Sequence, residues 1–464
     1  MPTLITPLSG WGRYPVQSCE LERPERYADL RPNAASLIAR GQGRSYGDAA
    51  LNESGRVLLT ERVNRLLEFD MERGILRAEA GVTLAEILAV IVPKGWFLPV
   101  TPGTKFVSLG GCVAADVHGK NHHHDGSFGN HVLSIELILA DGNSVTCSPT
   151  AMPDLFWATV GGMGLTGIIG EVKFKLIPIA NSQVTHSQMT GSQMASAQMI
   201  VRHHAAKNLE QLFHHLEDAA MDDRYTVAWI DSLATGKNLG RGIAMCGHHA
   251  RAEELPVNFH NVNKPTRSRN IPFDFAAWML NPATISAFNA LFYWRESRKH
   301  QPFICGYDPY FYPLDSIKNW NRMYGKRGFV QYQCAIPSAT AFSGIQKLLG
   351  ELSASRRPSF LAVLKRLGAQ GAGLLSFPMA GYTLALDLPL RDEGLFMLLN
   401  KLDEIVLQHG GRVYLAKDAR LSAASFRAMY PRLPEWLNIK NAVDPKNIFT
   451  SSLSRRLEIS GNTL

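Results

Sequence analysis

The chain has 464 residues, 48 of them Lys or Arg against 40 Asp or Glu, for a formal net charge of +8. Such a length exceeds one ordinary hydrophobic core, so two domains are expected, and 45% hydrophobic with 19% charged residues excludes a disordered chain. The positive balance suits a phosphorylated ligand or an anionic membrane surface, and no helix-turn-helix, zinc-finger or RNA-binding signature points to nucleic acid.

The N-terminal stretch MPTLITPLSGWGRYP lacks a basic n-region followed by an apolar h-region, so no signal peptide is expected. No apolar run reaches about 18 residues, the length that spans a bilayer. This favours a cytoplasmic protein or one peripheral to the inner membrane, with the periplasmic side left open.

Residues 35–40 (ASLIAR) predict a strand, and GQGRSYGD at 41–48 the loop leaving it. Its G-x-G-x-x-x-G spacing is one residue off the dinucleotide fingerprint, and a strand at 57–59 follows it where that fingerprint needs a helix. Alternation predicts a strand over 74–80, and Thr83 with Glu86 predicts a capping box for a helix over 84–91. Then comes TPGTKFVSLGGCVAADVHGKNHHHDGSFGNH at 101–131, dense in glycine and short hydroxyl side chains. Such a density marks backbone that turns sharply or approaches a ligand, and its exposed N–H groups suit phosphate. A strand over 132–140, a turn at Asp141-Gly142, a helix from Asp154 to Val160 and a third glycine cluster at 161–170 complete this part.

Beyond Pro178 the glycine density drops, and residues 179–198 are rich in Ser, Gln and Thr. Strands predicted at 225–230, 329–336, 360–364 and 382–388 alternate with amphipathic helices, as in an α+β domain on an antiparallel sheet. Glycine turns return at Gly410-Gly411. The expected organisation is therefore a first domain over 1–180, an inserted one over 181–410, and a return to the first over 411–464. Six scattered cysteines without a C-x-x-C pair read as reduced thiols.

RGQGRSYGD, PGTKFVSLGGCVAADVHG, LFWATVGGMGLTGII and the tail VDPKNIF occur in the order found in flavoproteins of the vanillyl-alcohol oxidase and p-cresol methylhydroxylase type, and the chain resembles that family. GRSYGD, HGKNHH, GSFGNHV, FWATVGG, GLTGII and AKDAR together resemble one branch of it, the decaprenylphosphoryl-β-D-ribose oxidases, the flavoprotein half of the ribose-to-arabinose epimerase of cell-envelope arabinan. The resemblance implies the two-domain FAD-binding fold with an inserted antiparallel-sheet cap domain. It implies FAD, held without a covalent bond because the first loop carries no His or Cys.

The cofactor residues implied are Arg40, Gly41, Gln42, Gly43, Arg44, Ser45 and Tyr46 on the first loop. Pro102, Gly103, Thr104, Ser108, Gly110, Gly111, Ala115, Val117 and His118 follow on the second, then Gly162, Gly167 and Ile169 on the third, with Tyr414 near the end. The activity implied is oxidation of the 2-hydroxyl of a polyprenyl-phosphate-linked ribose to a ketone. An NAD(P)H-dependent short-chain reductase would act on the product, and a quinone would take the electrons. A free alditol or aldonolactone is the rival substrate on the same scaffold, and a flavin-binding partner without turnover the rival class.

Lys417, in the strand-like run 413–418, can bind substrate, stabilise reduced flavin or act as a base if its pKa is depressed; the plain alternative is a surface ion pair with Asp418. His118 matches a flavin-lining histidine of the branch, or is a loop histidine satisfied by backbone. Gln331 and Gln333 alternate onto one strand face, and Lys365 closes an apolar strand where it would need an anionic partner; an ordinary solvated sheet face is the alternative. In the branch, equivalents of Gln333, Lys365 and Lys417 converge above the flavin. Thr383 and Ala385 stand where the actinobacterial enzymes place Asn and Cys, so Thr383 is the expected substrate contact. His122, His123 and His124 with His118 suggest a metal set, but consecutive histidines rarely converge on one centre, and no metal is assigned. Lys264, Arg267, Arg269, Arg295, Arg298 and Lys299 flank an aromatic run from Phe273 to Trp294, which suits peripheral membrane contact or, equally, a core helix with a solvated face.

Overall fold

The computed structural model describes residues 3–179, 197–256, 268–276 and 278–459. The passage at 180–196, and Lys264 and Arg267, lie outside them. The fold mixes helices with several sheets, most of them antiparallel. Strands β1 (Leu4–Ser9), β2 (Val16–Glu22), β3 (Leu37–Arg40) and β4 (Arg56–Leu59) form a sheet in the order β1-β2-β4-β3, in which β4 runs parallel to both β2 and β3.

Strands β5 (Leu66–Asp70), β6 (Ile75–Glu79), β7 (Trp96–Phe97), β8 (Val132–Ile138), β9 (Ser144–Cys147), β10 (Ile168–Lys175) and β11 (Ile177–Pro178) follow. Five of them pair in the order β5-β6-β10-β8-β9, and β7 pairs with β11. The capping box forms as expected: Thr83 accepts from the Glu86 amide while Glu86 accepts from the Thr83 amide, and the helix runs Leu84–Ile91. Gly170, read with the third glycine cluster, instead lies inside β10. A Cβ there would come within 2.6 Å of the Tyr27 ring, so the glycine serves a close packing contact rather than a loop.

Strands β12 (Gln198–Ala206), β13 (Tyr225–Ile230), β14 (Gly242–His249), β15 (Arg269–Asn270), β16 (Phe303–Gly306), β17 (Ile317–Lys318), β18 (Phe329–Pro337), β19 (Ala362–Leu367), β20 (Gly381–Pro389) and β21 (Arg412–Val413) complete the set. Eight make one antiparallel sheet, β16-β12-β14-β13-β19-β20-β18-β21, and β15 pairs with β17. The helices Leu209–Asp222, Ser338–Ala354 and Gly394–Gln408 pack against this sheet. Tyr332, Cys334 and Ile336 of β18 enter the core with the leucines of those helices, which leaves the intervening Gln331 and Gln333 for the opposite face.

Two expectations are corrected here. The strand placed at 360–364 lies at Ala362–Leu367, because Ser359 turns the preceding chain: its hydroxyl donates to the Leu361 carbonyl and accepts from the Asp387 amide. Lys365 therefore sits inside the strand. The run at 413–418 is strand only at Arg412–Val413; the amides of Lys417 and Asp418 turn back onto the Tyr414 carbonyl, and Lys417 is carried on a turn.

Candidate functional site

A cleft of about 590 Å³ runs between the glycine-rich loops and the uncovered face of the large sheet, a size usual for cofactor and substrate sites. The 41–46 loop forms one wall. A Cβ on Gly41 would lie 2.0 Å from Ser108 Oγ, so the first two loops touch at a point that only glycine permits. Gly43 has φ +60, in the region glycine favours. Arg40 spends its guanidinium on the Ser9 and Ala50 carbonyls. Arg44 lies 4.1 Å over the Trp11 ring and donates to the Phe106 carbonyl, so its charge stays at the cleft wall.

Pro102, Gly103, Thr104, Ser108, Gly110, Gly111, Ala115, Val117 and His118 line the second wall, with Gly167, Ile169 and Tyr414 beside them. Ser108 caps the short helix Leu109–Ala114 by accepting from the Gly111 amide. Gly103 faces open space, with nothing within 4 Å of an added Cβ. Small residues, free backbone and an arginine suit an extended dinucleotide diphosphate, and the cleft fits FAD on those grounds. Gly162 is not among the lining residues: a Cβ there would meet the Ala158 carbonyl at 2.2 Å, so it serves the turn after the helix Pro153–Thr159.

At the inner end, Gln331, Gln333, Lys365 and Lys417 line the same cleft. Gln333 Nε2 lies 3.0 Å from His118 Nε2 and donates to Thr383 Oγ1 at 3.1 Å. Thr383 itself is 1% exposed and does not line the cleft, so it acts behind Gln333 while Ala385 faces the opening. His118 packs against Tyr414 and Phe377; burial, then the charges of Lys365, His122 and Lys417, hold its imidazole neutral, well below the usual histidine range. Asp116 fixes this loop, accepting from Ser127 and Ser376 hydroxyls and the Gly129 amide at 2.6–2.9 Å.

Lys417 holds its Nζ 3.9 Å from the Tyr46 ring centroid. Burial lowers its pKa to about 7, with Asp387 pulling up and Lys365 pushing down. The expected alternative partner, Asp418, is instead bonded to Arg456 at 2.8 Å and to the Arg420 and Leu421 amides. Lys365 makes no ion pair among the described residues, and burial lowers its pKa to about 8. Nearby, Lys120 reaches the Tyr310 carbonyl and lies 4.0 Å over the Tyr310 ring. The cleft end is thus rich in cationic groups.

The consecutive histidines separate. His122 Nδ1 accepts from the Gly368 amide, His123 Nε2 meets the Asp223 carbonyl, and His124 turns outward to Asp125. Sequence reading missed Trp11, Leu314, Asp315, Ile317 and Trp320, which line the cleft, and the buried Asp387 behind it. Glycine gave the available signal for the first: Gly10 and Gly12 flank Trp11 because added Cβ atoms would lie 2.5 Å from the Ser45 and Phe329 carbonyls.

Residues 25–148 match the model of an FAD binding domain, and residues 396–457 that of D-arabinono-1,4-lactone oxidase. The chain is 35% identical to the decaprenylphosphoryl-β-D-ribose oxidase of Mycolicibacterium smegmatis, over 99% of this chain and 98% of that protein. It is 34% identical to an uncharacterised Streptomyces coelicolor protein over 81% of this chain and all of the other. A human Δ(24)-sterol reductase is 33% identical across 24% of this chain and 22% of its own length. The similarity that runs end to end, together with an FAD module spanning the first two loops, makes this chain a member of the decaprenylphosphoryl-β-D-ribose oxidase family, an FAD-dependent oxidoreductase.

Proposed function

We propose that the chain oxidises the 2-hydroxyl of a polyprenyl-phosphate-linked ribose to a ketone, the first half of an epimerisation. The observation that carries this reading is one continuous cleft whose far end offers Lys417, Gln331, Gln333 and Lys365 in a chain that aligns end to end with such an oxidase. Bound FAD supplies the acceptor for the hydride of the carbinol carbon. Lys417, held near neutrality by burial, takes the hydroxyl proton as a free amine. Gln333, braced by Thr383 and His118, orients the sugar, and Lys365, without an acid of its own, receives the phosphate. The keto product passes to an NAD(P)H-dependent short-chain reductase, and a quinone reoxidises the flavin. The two-domain division at 1–180, 181–410 and 411–464 belongs to the same reading.

Peripheral membrane contact fits a lipid-linked substrate. The helix Pro282–Glu296 buries Ile285, Asn289 and Glu296 and leaves Leu291 63%, Trp294 51% and Phe288 40% exposed. Arg298 lies 3.8 Å over Trp294. No helix of the described residues is long and apolar enough to cross a membrane.

The match of residues 396–457 to a lactone oxidase model favours a second reading, oxidation of a free aldonolactone or alditol. Anaerobic mixing separates the two. Bleaching of the flavin by polyprenyl-phosphoryl ribose and not by free sugars supports the first; bleaching by a free polyol or lactone overturns it.

A further inference from the structure

Asp387 is completely buried on β20, on the same strand face as Thr383 and Ala385. Its carboxylate accepts from Gln331 Nε2 and, at 3.4 Å, from the Tyr324 hydroxyl. Among the described residues no Lys or Arg pairs with it. The Gln331 side chain also acts on the buried Tyr46 phenol, and Lys417 lies on the Tyr46 ring. An acid and an amine, both buried and neither in an ion pair among the described residues, thus stand on either side of Gln331 and Tyr46. We propose that Asp387 is a positioning residue that sets the charge state of Lys417 across these two residues and holds Gln331 and Tyr46 in register with it. The inference rests on the reading of Lys417 as the group that meets the substrate hydroxyl.

The other groups that bear on the pair come from every surrounding element. Lys365 on β19 repels the Lys417 proton, and His118 stands across the cleft. Arg44 and Asp315 act on Tyr46 with opposite sign. Among the described residues Asp387 is the acid that favours the Lys417 proton; burial pushes its own carboxyl up to about 7. A buried carboxylate with no cation in contact is costly; Asn keeps the shape and an acceptor for one of the two bonds, and loses the charge.

The test is competitive acylation of holoenzyme amines across a pH series, with the Lys417 peptide followed by mass spectrometry. This reads the lysine without substrate or turnover. In Asp387→Asn the Lys417 midpoint moves down by about one pH unit, as expected for loss of a nearby opposite charge, and the acid limb of flavin reduction moves with it. Asp387→Glu restores the wild-type midpoint. Tyr324→Phe, which strips one donor from the carboxylate, moves the midpoint in the same direction as Asn and serves if the Asn variant does not fold. An unchanged midpoint in a flavin-loaded Asn or Phe variant overturns the proposal. Wild-type flavin that no lipid-linked or free sugar bleaches overturns the functional reading instead, and leaves the labelling result standing.

Discussion

Gln333 donates from Nε2 to His118 Nε2 across 3.0 Å, which makes that ring nitrogen an acceptor and leaves the imidazole proton on Nδ1. The tautomer is therefore chosen by a residue 215 positions away in sequence. Gln333→Leu removes the donor and frees the ring. Stopped-flow flavin reduction should slow by about 10²-fold, the scale of a small misplacement at a reacting centre, while flavin content stays at the wild-type level. Unchanged kinetics would detach Gln333 from the chemistry.

Lys417, as the proposed base, is expected to carry the pH dependence. Burial brings its pKa down to about 7, so the free amine grows in as pH rises through that value. The rate of flavin reduction should rise across the same window and level above it. Lys417→Arg keeps a charge that cannot leave and should cut the rate by about 10²- to 10⁴-fold, with no recovery at high pH. A wild-type rate that falls as pH rises through neutrality would exclude the amine as base.

Asp387 leaves a mark on stability as well. Burial raises its carboxyl from the usual carboxylate range to about 7. Between those two values the folded chain keeps a proton that the unfolded chain has lost, so this group's contribution to stability falls as pH rises through the window. Asp387→Asn removes that loss. Thermal melts should show the variant gaining on wild type at about pH 8, by at most about 4 kcal/mol less its lost attraction to Lys417, and little at about pH 4. A gain confined to the acid side would contradict the assignment.

Gly103 tests the cofactor cradle without disturbing packing, because a Cβ there meets nothing within 4 Å. Gly103→Leu projects into the cleft. The variant should fold yet bind FAD about 10- to 100-fold more weakly, the cost of overfilling a site, read as lost visible flavin absorbance after dialysis. A fully yellow variant would move the cofactor elsewhere.

The exposed face of the helix Pro282–Glu296 predicts membrane affinity. Leu291→Ser with Trp294→Ser removes two large exposed apolar side chains and should weaken binding to anionic phospholipid vesicles by at least about tenfold. Equal cosedimentation of variant and wild type would make the face inert toward lipid.

Local signals were legible in the sequence, and relations across the sheet were not. Thr83 and Glu86 are three residues apart, so the capping box could be read directly, as could the alternation behind β6. The glycine loops announced close approach before any partner was known. Asp387 gave no such sign: on β20 it is one acid in an apolar strand, and its meaning comes from Gln331, 56 positions away, and Tyr324, 63 away. Thr383 was expected as a substrate contact from the family resemblance; its place behind Gln333 depends on the pairing of β18 with β20. The turn that carries Lys417 was hidden because the apolar run 413–416 has strand composition, while Tyr414 collects the amides that bend it.

The two ends of the cleft are made of different material. The end proposed to seat the cofactor is shaped by close approaches of glycine, Gly41 to the Ser108 side chain and Gly10 and Gly12 to neighbouring carbonyls, so a side chain added at these three positions displaces its neighbour. The end proposed to take substrate is shaped by side chains at alternate positions of β18, β19 and β20. On the proposed reading, substrate preference drifts by single substitutions at lining positions such as 333, 363 and 385 while the glycine-lined end stays fixed, and a laboratory search for new alcohols to oxidise has a short, separable set of positions to vary.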